Sequence, residues 1–97
     1  AIGVLIRRIT KDGINAKVLH PDLVEIRSLS VRQPGYIYGE TIYNLDRLEE
    51  CIVISKWTSK EHWQSWEKNP KRLEIIKKME KHLSEKTQYN IYGIGLW

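Results

Sequence analysis

Several residue types that build protein cores, cross-links and membrane segments are scarce or missing in this chain. Its 97 residues include no phenylalanine, one methionine, three prolines and a single cysteine, Cys51. One cysteine cannot form an internal disulfide, so the fold does not need an oxidising compartment. No uncharged run approaches the about 20 residues of a membrane-spanning helix. Arg7 and Arg8 follow the first apolar stretch rather than precede it, unlike a signal peptide. We therefore expect a cytoplasmic protein without a membrane segment.

Charge of one sign is not in large excess either. Sixteen Lys and Arg against twelve Asp and Glu leave a net charge of +4, which is too mild to indicate a nucleic-acid partner. A Gly-rich phosphate loop and a Ser/His/Asp arrangement are both missing. Cys51, His20, His62 and His82 do not have the spacing of metal ligands. The sequence therefore predicts no metal and no nucleic acid.

The aromatic residues that are present are of two kinds. Four tryptophans and five tyrosines account for all of them. Both types combine a large apolar body with one polar group, and they favour half-wet cavities and interfaces. This bias indicates a pocket or a subunit contact.

Hydrophobic patterning predicts the elements of the first half of the chain. Alternation over 1–10 indicates a strand, and apolar spacing over 15–33 indicates a helix. Pro21 lies inside that helical segment, so the helix either starts there or is kinked there. The aromatic and β-branched segments 36–43 and 51–57 indicate two further strands that form an antiparallel hairpin.

The second half of the chain is predicted to hold two helices and a last strand. Thr58 and Glu61 match a capping box that starts a short helix. Asn69 and Pro70 read as the N-cap and first residue of the next helix, which we expect to end near Ser84. Gln88 to Leu96 alternates and closes the chain as a strand. The apolar stripe of the last helix is predicted to consist of Leu73, Ile76, Met79 and Leu83.

The predicted order is β-α-β-β-α-α-β over one domain, residues 1–97. This is an α+β, ferredoxin-like split βαβ unit with a four-stranded antiparallel sheet and helices on one face. The other sheet face carries apolar and aromatic side chains, which would be exposed to water in a single copy of the chain. We predict that a second copy covers it, which makes the protein a homodimer through the open sheet face.

Two sequence blocks carry a family resemblance. Gln33 to Thr41 reads QPGYIYGET, and Ile54 to Trp66 reads ISKWTSKEHWQSW. These blocks and their spacing resemble the antibiotic biosynthesis monooxygenase family, and the predicted element order is similar over essentially the whole chain. The resemblance implies a dimeric α/β barrel with a cavity between sheet and helices in each protomer.

The resemblance also implies a chemistry. Quinol and anthrone oxygenases of the family oxidise a small electron-rich aromatic with O₂ and need no cofactor. The substrate is deprotonated, and its anion passes an electron to oxygen. The protein supplies a dry aromatic cavity and donors for the developing oxyanion.

Candidate site residues follow from the same resemblance. Trp66 matches the helix tryptophan that lines the family's cavity, which makes it the first catalytic candidate. His62 lies one turn earlier and Asn69 three residues later as polar neighbours. The predicted cavity walls are Trp63, Tyr36, Tyr38 and Ile76.

The strand that carries the two tyrosines leaves one question open. Strict alternation puts Tyr36, Tyr38 and Glu40 on one sheet face and Ile37, Thr41 and Tyr43 on the other. One set faces the cavity and the other set faces the partner sheet. Parity does not decide which.

Other interpretations compete with catalysis. Trp57 and Trp63 are also explained by core packing, and His62 by solvent exposure at a helix start. The same scaffold could serve as a non-catalytic small-ligand-binding or sensor domain. A haem-degrading branch of the family needs an axial His, where this chain has Ile76, and a first-strand Asn, where it has Ile6 or Arg7. The sequence therefore argues against haem degradation.

Overall fold

The computed structural model describes residues 1–95 and shows four strands and three α-helices. The chain forms an antiparallel sheet with the strand order β2-β3-β1-β4. This confirms the predicted α+β, ferredoxin-like fold. The elements are β1 (Ile2–Ile9), a 3-10 helix (Ala16–Leu19), α1 (His20–Ser30), β2 (Tyr36–Tyr43), β3 (Glu50–Trp57), α2 (Lys60–Glu67), α3 (Pro70–Glu80) and β4 (Gln88–Gly93).

Helix starts follow local chemistry, with one correction to the sequence prediction. Pro21 lies in the first turn of α1, so the helix starts there and is not kinked. Asn69 caps α3 as predicted, because its Oδ1 accepts from the Lys71 N–H at 2.9 Å. The cap of α2 is Ser59 rather than Thr58, since Ser59 is extended and its Oγ accepts from the His62 N–H at 3.2 Å.

The end of α3 differs from the prediction for a tertiary reason. The helix ends at Glu80, four residues before Ser84. Beyond it, Leu83 pairs with Thr10, and the Ser84 N–H donates to the Ile9 carbonyl at 2.9 Å. Pairing with the end of β1 therefore replaces the last predicted helical turn. The last strand ends at Gly93, and the predicted end at Leu96 lies outside the described residues.

The buried face of α3 is rotated by one residue from the predicted stripe. Arg72, Ile75 and Met79 are buried, whereas Leu73 is half exposed. A hydropathy pattern assigns an arginine to solvent, so it could not find a helix face that contains a buried one. The prediction of Leu73 in the stripe was wrong for this reason.

A bulge in β2 breaks the strict alternation assumed from the sequence. Tyr36 pairs with Trp57, but Tyr38 pairs with Lys56, so Ile37 is the extra residue. Neighbouring residues of a strand point to opposite faces, and Trp57 is buried under the helices. Tyr36 therefore faces the helices and Tyr38 faces the open side, which corrects the prediction that they share a face.

The core lies between the sheet and the helices. Buried side chains of β1 and β3 alternate with half-exposed ones, as expected for a sheet covered on one face. Trp57 and Trp63, both about 1% exposed, are the largest side chains of this core. No helix within residues 1–95 is long and apolar enough to cross a membrane.

The open sheet face is mixed in character. Its middle row places Ile54 beside Leu5, with Glu40 and Asn90 at the ends. The flanking rows add two apolar and two aromatic side chains between charged groups. Those four are Ile42, Ile52, Tyr38 and Tyr92. The face thus has an apolar centre and a charged border.

Glu50 on this side of the sheet is expected to make folding sensitive to acid. Hydrogen bonds from Asn44 Nδ2 and the Arg7 guanidinium, together with the charge of Arg7, hold the pKa of Glu50 below its ordinary value. A depressed folded pKa gives stability that is present above the ordinary glutamate pKa and lost as pH falls towards the folded one. Urea unfolding between pH 6 and about pH 3 should therefore show a smaller acid loss in Glu50→Gln than in the native chain.

The control for this prediction is Glu61→Gln, which removes one exposed carboxylate from α2. That variant should keep the native acid dependence. An unchanged acid dependence in Glu50→Gln would contradict the linkage.

Candidate functional site

A small cavity lies between the sheet and the helices. Its volume is about 30 Å³, whereas a single water needs roughly 10–15 Å³ of such space. The cavity has room for one or two waters as it stands. Its walls come from β1, β2, β3 and all three α-helices, and they are Ile6, Arg8, Leu23, Ile26, Arg27, Ser30, Tyr36, Val53, Ser55, Trp57, Trp63, Trp66 and Arg72.

Aromatic side chains make up much of this wall. The Tyr36 ring meets Trp57 edge-on with centroids 5.3 Å apart, and Trp57 lies 5.8 Å from Trp63. Trp66 is 3% exposed and lines the same cavity from α2. Three of the predicted site residues, Trp66, Trp63 and Tyr36, are thus brought together.

Another part of the wall is positively charged. Arg8 on β1 and Arg72 on α3 are each 2% exposed and both line the cavity. Arg72 stacks between two rings, 5.2 Å from Trp63 and 5.5 Å from Tyr89. The Tyr89 hydroxyl accepts from Arg72 Nη2 at 3.0 Å, and the Glu67 carbonyl accepts from Arg72 Nη1 at 3.4 Å.

Carboxylates do not balance these two charges. Within residues 1–95 neither Arg8 nor Arg72 has an ion-pair partner, and no Asp or Glu is buried. Burial, followed by the positive charge of Arg72, lowers the pKa of Arg8, while Tyr89 and Cys51 raise it. An arginine stays protonated in proteins despite such a shift. Among the described residues, the positive charge of the cavity wall is therefore not matched by a carboxylate.

The third arginine of the wall is used differently. Arg27 Nη1 donates to the Gly39 carbonyl, and Nη2 donates to Thr41 Oγ1, both at 3.0 Å. These bonds fix α1 against the edge strand β2. Arg27 therefore has a structural role, because it joins α1 to β2.

One further donor of the wall has no acceptor. The indole N–H of Trp63 is buried and makes no hydrogen bond within the part of the chain that the structure describes. By contrast, Trp57 Nε1 donates to Ser55 Oγ at 3.1 Å. A buried donor without a partner costs about 1–3 kcal/mol, so this N–H is suited to a hydrogen bond with a water or a ligand in the cavity.

Two predicted polar site residues lie elsewhere. His62 is exposed, and its Nδ1 lies 3.0 Å from Thr58 Oγ1 and 2.8 Å from Ser59 Oγ. Its side chain packs against the backbone of Gly35. Asn69 is occupied as the cap of α3. Neither residue lines the cavity in this structure.

Two predicted wall residues are also elsewhere. Tyr38 lies on the open sheet face, with Lys56 Nζ 5.9 Å from its ring centroid. Ile76 lines a separate groove of about 490 Å³ between the end of α3 and β4. Tyr89 also lines that groove, so it is the residue that links the groove to Arg72.

Sequence reasoning missed Arg8, Arg72 and Tyr89. The position of Arg8 carried a usable signal, because it falls on the inward parity of β1 with Val4 and Ile6. Arg72 lies three residues before Ile75, but only the true helix phase shows this. A charged residue at a position that the strand or helix period turns towards the core is the sequence signal for such a site.

Cysteine and metal chemistry receive no support from the geometry. Cys51 is buried in β3 as predicted, and burial raises the pKa of its thiol. Within residues 1–95 no three His, Cys, Asp or Glu side chains form a group that could hold a metal ion.

Comparison with known proteins adds information on the fold. No family sequence model matches the chain, and no curated protein matches it in sequence. Several solved structures do match. One is an antibiotic biosynthesis monooxygenase, which has a TM-score of 0.85 and 9% sequence identity and covers 99% of this chain and 100% of its own. SnoaB, a cofactor-independent oxygenase from Streptomyces nogalater, matches with a TM-score of 0.81, 14% identity and coverage of 99% and 95%.

A third similar structure is a conserved protein from Methanosarcina mazei, with a TM-score of 0.83 and 18% identity over 94% of this chain and 89% of the other. All these identities are low, so the likeness concerns the fold and not the chemistry. The chain has the fold of solved antibiotic biosynthesis monooxygenases.

Proposed function

We propose that the protein is a cofactor-independent monooxygenase that oxidises a small electron-rich aromatic, quinol- or anthrone-like, with O₂. The observation that supports this most is the cavity walled by Trp57, Trp63, Trp66 and Tyr36. Such a wall stacks on an aromatic ring and keeps water away from a reactive anion. The same fold occurs in SnoaB, a cofactor-independent oxygenase.

The proposed reaction balances without a cofactor. In an anthrone, a ring CH₂ group loses two hydrogens and gains one oxygen atom to become a carbonyl, and the second oxygen atom leaves as water. In a quinol, one ring C–H becomes C–OH, the two hydroxyls become carbonyls, and the second oxygen atom again leaves as water. The substrate itself supplies the electrons after it has lost a proton. Buried guanidiniums favour the ionised substrate. None of the wall residues is His, Asp or Glu, so the proton passes to water.

The cavity must enlarge to take a ring. Its present volume is about 30 Å³, whereas a cavity of about 150 Å³ is needed to bind benzene. Helix α2 supplies two tryptophans of the wall and is only eight residues long. We propose that outward movement of α2 makes room for the substrate.

A non-catalytic binding or sensor domain is the second candidate function. The observation that favours it is that no His, Asp or Glu, which could accept a proton, is among the residues that line the cavity. A binder needs stacking surfaces and donors, and the wall supplies both without a proton acceptor. The two functions differ in whether oxygen is consumed.

Oxygen uptake by the full chain tests the proposal. Hydroquinones and anthrones should be consumed above the uncatalysed rate, and Trp66→Ala should lower kcat/KM by about tenfold or more, because the wall that orients the ring is lost. Gln64→Ala, an exposed position on the same helix, is the matched control and should keep the native rate. Saturable binding without oxygen uptake would favour the sensor instead.

We also propose that the protein is a homodimer through the open sheet face. Leu5, Ile52 and Ile54 form an apolar centre on the two middle strands. Arg7 and Glu50 pair within one protomer, and Lys56 and Glu40 add one charge of each sign to the border, so the face is compatible with a second copy of itself. A two-fold pairing of such a face buries its centre and matches its charges.

A further inference from the structure

The wall of the cavity offers hydrogen-bond donors in excess of acceptors. Arg8 and Arg72 are buried cations, and within residues 1–95 no carboxylate pairs with either. The indole N–H of Trp63, on the same wall, has no acceptor in that part of the chain. Each of these groups is costly to bury alone. Together they describe a site that is complementary to an anion.

Burial of the two charges is built into the fold. Arg8 sits on the middle strand β1, and the rings of Trp63 and Tyr89 sandwich Arg72. The Tyr89 hydroxyl accepts a hydrogen bond from Arg72 Nη2 at 3.0 Å, and Arg8 and Arg72 both line the cavity. A surface arginine would turn towards water, but these two are fixed.

We propose that Arg8 and Arg72 bind the carboxylate of an aromatic carboxylic acid in this cavity. The proposal rests on the proposed function only in taking the ligand to be aromatic. Guanidinium groups fork onto the two oxygens of a carboxylate, and the free N–H of Trp63 supplies one more donor.

Size and charge favour a carboxylate over other anions. A carboxylate is small and planar and matches the fork of a guanidinium, whereas a phosphate is larger and carries more charge. The ring attached to the carboxylate needs the enlarged cavity. A phenol is neutral at pH 7, so it gains the attraction of the two guanidiniums only after it has lost its proton. A carboxylic acid arrives already ionised, since its pKa is about 4.

Calorimetric titration of the full chain with 2-naphthoate and with neutral 2-naphthamide tests this. The two probes share the ring and differ in charge, so the native protein should bind the carboxylate at least about tenfold more tightly. 2-Naphthol, a neutral phenol at pH 7, should bind no better than the amide. This comparison needs no variant and remains informative if a variant fails to fold.

Variants assign the effect to the two arginines. Arg8→Gln and Arg72→Gln should each weaken naphthoate binding by about tenfold or more, while the affinity for naphthamide stays within about twofold. Arg72→Lys keeps the charge but loses the fork, so it should retain part of the affinity. Arg32→Gln removes one exposed charge at the end of α1 and should bind as the native chain does.

The outcomes separate this proposal from the oxygenase proposal. Equal affinity for acid and amide, binding that survives both glutamine variants, or no binding of naphthoate would each overturn the carboxylate site. Oxygen uptake with neutral quinols would still support the oxygenase in those cases. Charge-selective binding without oxygen uptake would keep the site and remove the oxygenase.

Discussion

Replacing Gly35 by alanine is expected to lower the free energy of unfolding by about 3 kcal/mol. Gly35 has a φ of +84°, a conformation that alanine adopts only with strain. A Cβ at this position would lie 2.4 Å from Cγ and 2.5 Å from Cβ of His62. The turn cannot move away easily, because the Gly35 carbonyl accepts from the Thr58 N–H at 2.8 Å. Urea unfolding followed by far-UV circular dichroism measures the loss.

Two variants separate backbone strain from the steric clash. Gly13 has a φ of +77°, but a Cβ added there would meet no other atom within 4 Å, so Gly13→Ala should cost only the strain, about 1 kcal/mol. In the cycle of Gly35→Ala with His62→Gly, the double variant should lose less than the sum of the single losses. Equal losses at Gly13 and Gly35 would show that His62 does not restrict the turn.

This contact also explains His62 without catalysis. Its imidazole accepts or donates at the hydroxyls of Thr58 and Ser59 and covers the glycine of the preceding turn. The resemblance implied a polar neighbour of Trp66 at this position. The geometry gives His62 a structural contact at the start of α2, outside the cavity.

Much of the fold could be predicted because its signals are local. The alternation of 51–57, the Asn69-Pro70 helix start and the turn at Gly35 each reflect short-range chemistry. These elements lie where the patterns predicted them. The end of α3 could not be predicted, since it depends on the pairing of Leu83 with Thr10, which is distant in the sequence.

The site was harder to predict for two physical reasons. The bulge at Ile37 moves Tyr38 to the open face, and a bulge leaves no trace in a pattern of period two. Arg72 was assigned to solvent because hydropathy scores its charge and not its long apolar stem between two rings. Trp66 was found because the family resemblance implies a cavity tryptophan at its position.

The Ile54→Lys substitution is expected to turn the proposed dimer into a monomer. Ile54 lies on a middle strand of the open face, directly beside Leu5 and Glu40. In a two-fold interface each substitution appears twice, and two buried cations near the centre cost several kcal/mol, on the order of 3–5. Glu40 can pair with the new lysine in the free protomer, so the chain should still fold. Light scattering should show the mass fall from about twice 11.5 kDa to 11.5 kDa.

Val24→Lys is the matched control for this prediction. Val24 is 53% exposed on α1, on the side of the sheet that carries the helices. It gains the same charge as Ile54→Lys, and it should remain a dimer with native circular dichroism. A native chain that is already monomeric at micromolar concentration would refute the dimer itself. An Ile54→Lys variant that stays dimeric would place the interface elsewhere, because an apolar sheet centre cannot take up two lysines without loss of affinity.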